Sequence, residues 1–235
     1  MKNRYWAGLA LLGLLTLSGQ AHADLVVSGM GTIAGIDGNY KLIHDTDLDI
    51  TWLDYTSPED LNRWDNHMTW AANLVVTVNG VTYDNWRLPS TVDDSETLFE
   101  QIQITYDGSA SFGYNNPDTS ELSHLFYTEL GNNGYFTTDA KLELDPYGLN
   151  NTGPFDNLVS ATYWSSTLDQ FHYNEAWVFN MDLGLQGVAD YYLSNPRGLA
   201  IFTGHIQTQP LPEPASLLVF GIGLAGFIGL KRRKN

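Results

Sequence analysis

Residues 76–83 read Val76-Thr77-Val78-Asn79-Gly80-Val81-Thr82-Tyr83, two short runs rich in β-branched residues on either side of an Asn-Gly pair. Asn and Gly accept the positive φ angles that a tight two-residue turn requires. β-Branched side chains favour extended strands, where they pack well on a pleated surface. This stretch therefore predicts an antiparallel β-hairpin.

Other short apolar and β-branched runs lie between turn-forming clusters on both sides of the hairpin. The runs at residues 31–36, 42–44 and 50–53 before the hairpin predict two or three strands, and those at residues 163–165, 176–181 and 199–203 after it predict further strands. Neither an internal repeat nor a linker divides residues 24–210. We therefore expect this segment to be a single domain.

Two segments have the spacing of amphipathic helices. Residues 67–75 place Trp70, Ala71, Leu74 and Val75 on one face, and residues 120–130 place Leu122, Leu125, Phe126 and Leu130 on one stripe. Asp118 is the predicted N-cap of the second helix, with Glu121 three residues later as in a capping box, and Gly131 ends it. Short helices packed against a mostly antiparallel sheet predict an α+β domain.

The charge of this segment is strongly negative. The chain has 27 Asp and Glu against 11 Lys and Arg, and between residues 24 and 211 the balance is 26 against five, a net charge of −21. Such a surface repels phosphate backbones, which excludes nucleic-acid binding through a basic face. The chain has no Cys, which excludes disulfides, thiol nucleophiles and Cys-based zinc sites.

Residues 1–23 have the three parts of a secretory signal peptide. Lys2 and Arg4 form the basic start, residues 6–17 are an apolar run, and Ala21 and Ala23 supply the small residues at a cleavage site. As a helix the apolar run would extend about 18 Å, too short for the roughly 30 Å hydrocarbon core. We expect export by the Sec machinery and cleavage after Ala23.

The other end of the chain combines three unlike features in a fixed order. Pro212-Glu213-Pro214 precedes an uncharged, mostly apolar stretch at residues 215–230, and four basic residues follow at 231–234. Residues 211–235 resemble the PEP-CTERM sorting signal. The resemblance implies a Gram-negative source, transient insertion of residues 215–230 into the inner membrane, and recognition by an exosortase. Removal of the tail would then release the protein to the cell surface or the extracellular matrix; a plain, unprocessed transmembrane anchor is the alternative.

The middle of the chain carries a second resemblance, on segments spread over most of residues 40–205. The segments are His44-Asp45-Thr46-Asp47-Leu48-Asp49-Ile50-Thr51-Trp52-Leu53, Met68-Thr69-Trp70-Ala71, Asn85-Trp86-Arg87-Leu88-Pro89, Glu121 to Gly131, Tyr163-Trp164-Ser165-Ser166 and Ala176-Trp177-Val178-Phe179. Residues 24–210 resemble the Lcl C-terminal-like domain. This resemblance implies a single C-type-lectin-like α+β domain and, as in adhesin members, contact with glycan or matrix. The segment Arg197 to Phe202 departs from the family's usual last strand.

Three aromatic residues, Trp64, Tyr114 and Tyr147, lie in polar, loop-like surroundings, where an aromatic ring can stack on a sugar. We take them as candidate ligand contacts. Arginine is scarce, and Arg87 and Arg197 are interpreted as structural partners of neighbouring carboxylates, because an unpaired buried charge is costly.

Asp45, Asp47 and Asp49 alternate as calcium ligands do in an EF-hand. That loop needs Gly at its sixth position and Glu at its twelfth, where this chain has Ile50 and Thr56, so an EF-hand is excluded. A turn before a buried strand is the expected structure. Looser calcium coordination by loop carboxylates such as Asp37 or Asp156 stays an open alternative, and the sequence names no ligand set.

The sequence contains no His-Glu-x-x-His pattern and no Gly-x-Ser-x-Gly elbow. The leading hypothesis is therefore a non-catalytic exported protein that binds or organises extracellular polysaccharide. Two alternatives stay open, a secreted glycan hydrolase using a carboxylate pair and a structural matrix protein without a defined ligand.

Overall fold

The fold is built around a seven-stranded sheet with the strand order β5-β4-β1-β2-β3-β10-β6. The computed structural model describes residues 25–92, 120–135, 146–170, 173–192 and 195–208. The strands of this sheet are β1 (Leu25–Ile33), β2 (Tyr40–Asp45), β3 (Ile50–Thr56), β4 (Val76–Val78), β5 (Val81–Tyr83), β6 (Trp86–Arg87) and β10 (Leu199–Thr203). All the paired neighbours in it are antiparallel.

A smaller antiparallel sheet has the order β7-β8-β9, with β7 at Thr162–Leu168, β8 at Glu175–Asn180 and β9 at Leu185–Asp190. Two short helices complete the described fold. Helix α1 spans Trp64–Ala72, and helix α2 spans Glu121–Ser123 and continues directly into a π-helix at His124–Glu129. The α+β class with a mostly antiparallel sheet is confirmed.

The central strands of the large sheet are buried on both faces. Leu42 pairs with Leu53 across β2 and β3, and Ile43 pairs with Trp52 one residue along. Because successive side chains point to opposite faces of a strand, the two pairs enter two different cores. One core includes Ala71 of α1, and the other includes the apolar side chains of the π-helix. Both helices are thereby fixed against the sheet.

Most predicted strands are confirmed, with shifted ends. The Asn-Gly hairpin is present as β4 and β5, with φ angles of 49° at Asn79 and 83° at Gly80. The strand predicted at 31–36 is observed at Leu25–Ile33, because Gly35 has a φ of 76° and lies in a turn. Strand β9 was not predicted, because its sequence has no strict alternation of apolar and polar residues, and most of its residues are only half-buried.

The helix predictions need two corrections. The helix predicted at 67–75 is observed at Trp64–Ala72, and its buried residues are His67 and Ala71. The predicted α-helix at 120–130 is α-helical for only three residues before the π-helix, and its N-cap is Ser120, whose side chain accepts from the backbone N of Ser123. Asp118 lies outside the described residues. Gly131 follows the helix with a φ of 61°, as predicted.

The predicted signal peptide at 1–23 and the predicted apolar helix at 215–230 also lie outside the described residues. Within the described ranges, neither helix has the length and apolar character needed to cross a membrane.

Candidate functional site

Four aromatic residues form a surface that we call the aromatic patch: Trp64, Tyr173, Tyr191 and Tyr192. Trp64 begins α1, Tyr191 and Tyr192 directly follow β9, and Tyr173 lies shortly before β8. The ring centroids of Trp64 and Tyr191 are 6.4 Å apart, and those of Tyr191 and Tyr192 are 4.7 Å apart. Tyr173 is 91% exposed and Tyr192 is 52% exposed, so the patch presents aromatic surface to solvent.

Backbone and side-chain hydrogen bonds hold two of these rings in place. The backbone N of Trp64 donates to the carbonyl of Tyr191 over 2.9 Å, and the indole Nε1 of Trp64 donates to the carbonyl of Ser165 over 2.7 Å. The Tyr191 hydroxyl donates to Oδ1 of Asn174 over 2.7 Å. The two Trp64 bonds tie α1 to the chain just after β9 and to β7, and the Tyr191 bond joins the two chain segments at the open end of the β8-β9 hairpin. The rings are therefore ordered before any ligand arrives.

Arg63 lies beside the patch in an unusual backbone conformation. Its φ is 101°, a region that residues with a Cβ rarely adopt and that costs free energy. The guanidinium carbon lies 4.5 Å from the centroid of the Tyr192 ring, and Nε contacts Asp65 at 3.0 Å. Backbone strain of this kind concentrates at ligand-binding and catalytic sites.

The phenol groups of the patch influence one another. The pKa of Tyr191 is raised, first by its hydrogen-bonding interaction with Tyr192 and further by the nearby phenol of Tyr173. The Tyr191 phenol therefore stays protonated at neutral and mildly alkaline pH. Its proton is donated to Asn174, so the Tyr191 oxygen is left to accept a hydrogen bond from a ligand hydroxyl.

The three predicted contact residues do not all meet in the patch. Trp64 belongs to it, although the ring is half-buried and its indole N–H is bonded within the protein. Tyr147 is 41% exposed and packs edge to face on Tyr135, with centroids 5.0 Å apart. Tyr114 lies outside the described residues. The patch tyrosines carried no prediction; the adjacent pair Tyr191-Tyr192 in a polar segment was the available signal.

A second group of chemistry-bearing residues is buried: Asp45 at the end of β2, and His124 and Glu129 at the two ends of the π-helix. Nε2 of His124 lies 3.1 Å from Oε1 of Glu129 and 3.8 Å from Oδ1 of Asp45. The side chains of all three are at most 1% exposed. We call these residues the buried triad.

The π-helix explains why His124 and Glu129 meet. Residues five apart point in different directions on an α-helix, whereas the wider turn of a π-helix, with i→i+5 hydrogen bonds, places them close together. The N–H of Leu130 donates to the carbonyl of Leu125 over 3.0 Å, a bond of this wider type. Asp45 joins from the sheet, held by the backbone N–H groups of Asp47 and Leu48.

Burial perturbs all three titrations. Burial is the largest influence on both carboxyl groups, and it raises the pKa of Asp45 and the pKa of Glu129. Burial alone would lower the pKa of His124, but the hydrogen bond that its Nε2 makes to the Glu129 carboxylate and the charges of the nearby carboxylates together raise it. Oε2 of Glu129 and Nδ1 of His124 are buried and make no hydrogen bond in the described part of the chain.

Among the described residues, the carboxylates of Asp45, Asp47, Asp49, Asp37 and Asp156 are not grouped around one point with three donor atoms. Asp45 points inward and binds Trp52 Nε1 and two backbone N–H groups, as the predicted turn requires. Asp49 is exposed and contacts His44 at 3.1 Å. Of the looser candidates, Asp156 pairs with Lys41 at 2.7 Å, and Asp37 is exposed.

The two arginines bind carboxylates, as the sequence predicts. Arg87 makes a bidentate pair with Glu121, with N–O distances of 2.8 and 2.7 Å. Arg197 pairs with Glu59 at the edge of a shallow cavity of about 290 Å³, lined also by Pro58, Asn195 and Pro196.

The comparisons with known proteins concern the end of the chain. A family model described as the PEP-CTERM protein-sorting motif matches residues 210–234. The chain carries an export-sorting signal. The signal implies an exported protein that is processed by an exosortase and is located at the cell surface or outside the cell after processing. Neither the curated proteins nor the solved structures include a match to this chain.

Proposed function

We propose that this exported protein is a non-catalytic surface or matrix protein that binds polysaccharide through the aromatic patch. The observation that carries the proposal is the exposure of Tyr173 and Tyr192 beside two rings that hydrogen bonds hold in place. Exposed aromatic clusters on a soluble domain mark interaction surfaces. The sorting signal implies a location at the cell surface or outside the cell, and this supports a polysaccharide as the ligand that the patch would meet.

The chemistry of the patch suits a sugar ring. The aromatic faces are apolar and flat, which suits the C–H face of a pyranose, and the tyrosine hydroxyls offer polar groups at the ring edges. Because the Trp64 and Tyr191 rings are already ordered, little conformational entropy is lost when they bind a ligand. We also propose that residues 24–210 are an Lcl C-terminal-like domain, because the segments that carry the resemblance include residues buried in the core, such as Trp52 and Trp164.

Substitution of exposed tyrosines tests this function. We expect the full chain, purified in detergent, to bind at least one member of a panel of neutral and anionic polysaccharides in affinity electrophoresis. The double substitution Tyr173→Ala with Tyr192→Ala removes the two most exposed rings. At about 0.5–1.5 kcal/mol per aromatic contact, binding should weaken roughly 5- to 150-fold.

Tyr147→Ala is the matched control, because Tyr147 is also an exposed tyrosine but lies outside the patch. It should bind as the wild type does. Loss of binding in Tyr147→Ala alone would place the site at Tyr147 and Tyr135 and refute the patch. Absence of binding to every polysaccharide would favour the structural matrix protein.

The hydrolase alternative is tested in the same samples by assaying the release of reducing ends. Glycosidase carboxyl groups flank a substrate in an open cleft. The carboxylates of Asp45 and Glu129 lie close together, but both are fully buried, so a sugar cannot reach them. Sustained release of reducing ends would contradict the non-catalytic proposal.

A further inference from the structure

The buried triad of Asp45, His124 and Glu129 is not used by polysaccharide binding, and its chemistry is distinct. We propose that these three side chains bind one divalent transition-metal ion, with Zn²⁺ as the ion that best fits the donor set. One atom from each residue lies within 4.8 Å of the atoms of the other two. The inference is independent of the aromatic patch.

The donor atoms select the class of metal. Zn²⁺ is bound by His nitrogen and by Asp or Glu oxygen at about 2.0–2.2 Å, and many of its sites use three protein ligands. Ca²⁺ and Mg²⁺ prefer an all-oxygen shell, so the imidazole of His124 makes them poor candidates here.

The separations match a preformed site. Ligand atoms around a tetrahedral Zn²⁺ are about 3.4 Å apart, given these bond lengths. The distances from His124 Nε2 to Glu129 and to Asp45 are 3.1 and 3.8 Å, on either side of that value. The third pair is the two carboxylate oxygens of Asp45 and Glu129, which lie within 4.8 Å of each other. Only a small movement of one carboxylate would bring them to the same spacing.

An independent observation is the orphaned oxygen of Glu129. Oε2 is buried and has no hydrogen-bond partner among the described residues, and it belongs to the carboxylate that faces His124. An unpaired charged oxygen in the interior is strongly destabilising, and two buried carboxylates close together add to that cost. A bound cation would neutralise both carboxylates.

The π-helix supports the same inference. A π-helical turn is rare and frequently occurs at functional sites, because the inserted residue re-aims side chains. In this chain its direct effect is to bring Glu129 to within hydrogen-bonding distance of His124.

Metal content of the full chain tests the proposal. The protein is unfolded in denaturant with a chelator, refolded in metal-free buffer with or without Zn²⁺, and analysed by mass spectrometry of elements. We expect one Zn²⁺ per chain and a higher thermal midpoint in the zinc-refolded sample. Refolding with Co²⁺ should give visible absorption bands of a low-coordinate nitrogen and oxygen site.

Glu129→Gln is the decisive variant. Gln keeps an oxygen for His124 but removes the charge and one metal ligand. Substituting a residue that only supports a metal ligand typically lowers metal affinity by roughly 10- to 100-fold. Because Glu129→Gln changes a ligand itself, zinc affinity should fall by more than this. In zinc-free buffer the same variant should be at least as stable as the wild type, since it removes a buried carboxylate. This unchanged or higher zinc-free midpoint also shows that the variant folds.

Two controls exclude other binding sites. Asp47→Asn removes an exposed carboxylate two residues from Asp45, and His205→Gln removes a histidine whose ring stacks on His44 at 4.1 Å. Both should keep one Zn²⁺ per chain. The proposal is overturned if the wild type takes up no metal, if Glu129→Gln retains full affinity, or if only His205→Gln loses the ion.

Discussion

Glu121 holds the start of α2 to the large sheet, and replacing it with Gln should measurably destabilise the fold. One carboxylate oxygen accepts from Arg87 Nη1 over 2.8 Å and also from the backbone N and the hydroxyl of Ser90. The other oxygen accepts from Arg87 Nη2 over 2.7 Å. Because Glu121 precedes His124 by three residues, this contact also positions the buried triad.

The expected magnitude follows from the change in the acceptor. In Glu121→Gln an NH₂ group replaces one oxygen and faces a donor, so at least one charge-assisted hydrogen bond is lost. The bond that Arg87 keeps to the remaining oxygen has a charged donor but no longer a charged acceptor, and any bond that Ser90 keeps becomes neutral. Hydrogen bonds to charged groups contribute about 1.5–3 kcal/mol, against about 0.5–1.5 for neutral ones. The Arg87 side chain is 35% exposed, so water compensates in part. We expect a loss of about 2 kcal/mol in the free energy of unfolding.

Urea denaturation monitored by tryptophan fluorescence measures this loss. At about 2–4 °C per kcal/mol for a chain of this size, the thermal midpoint should also fall by about 4–8 °C. Asp65→Asn is the matched control, because it removes a carboxylate from an exposed ion pair. The side chains of Arg63 and Asp65 in this pair are 42% and 54% exposed, respectively. This substitution should cost less than about 1 kcal/mol. Equal effects of the two substitutions would refute the reasoning that burial sets the difference.

Three further substitutions have defined outcomes. Burial lowers the pKa of His67, so below about pH 6.5 the unfolded chain binds a proton that the native residue resists, and the folded state becomes less stable as the pH decreases. In urea titrations at pH 7 and pH 5, His67→Gln should therefore lose less stability between the two pH values than the wild type does. Gly184→Ala should lower the thermal midpoint strongly, because Gly184 has a φ of 65° and a Cβ there would lie 2.5 Å from a tyrosine oxygen; an unchanged midpoint would contradict the packing. Trp64→Phe removes the hydrogen bond to the carbonyl of Ser165 and should lower the free energy of unfolding, measured in urea, by about 1–3 kcal/mol. A loss below about 0.5 kcal/mol, which is the usual range for surface substitutions, would show that this bond contributes little.

Much of the sheet could be predicted because its signals are local. The hairpin is predicted by Asn79 and Gly80 together with the β-branched runs beside them, and the backbone angles of this pair are those that the turn requires. The buried strands β2 and β3 are short apolar runs bounded by turn residues. The Arg87 pair was also foreseeable in kind, since a scarce arginine in an acidic chain finds a carboxylate.

The candidate site could not be predicted in the same way. The spacing of Leu122, Leu125 and Phe126 fits an α-helix, and nothing local in the sequence shows that packing shifts the register to a π-helix at His124. The aromatic patch requires residues from α1 and from the β8-β9 hairpin, which are more than 100 residues apart in the chain. Only the tertiary fold brings Trp64 to Tyr191.

The charge pairs of the fold restrict the kind of polysaccharide that the patch could bind. Each basic residue in the described ranges contacts a carboxylate, and the pairs are Lys41 with Asp156, Arg63 with Asp65, Arg87 with Glu121, and Arg197 with Glu59. A uronate or sulfate group would therefore have to compete with an internal carboxylate for its partner. It would also approach a segment with a net charge of −21, which raises the cost at low salt. Neutral glycans face neither cost, so they should bind more tightly than anionic glycans of equal length. The difference in affinity between the two should decrease as salt is added, because salt screens the repulsion.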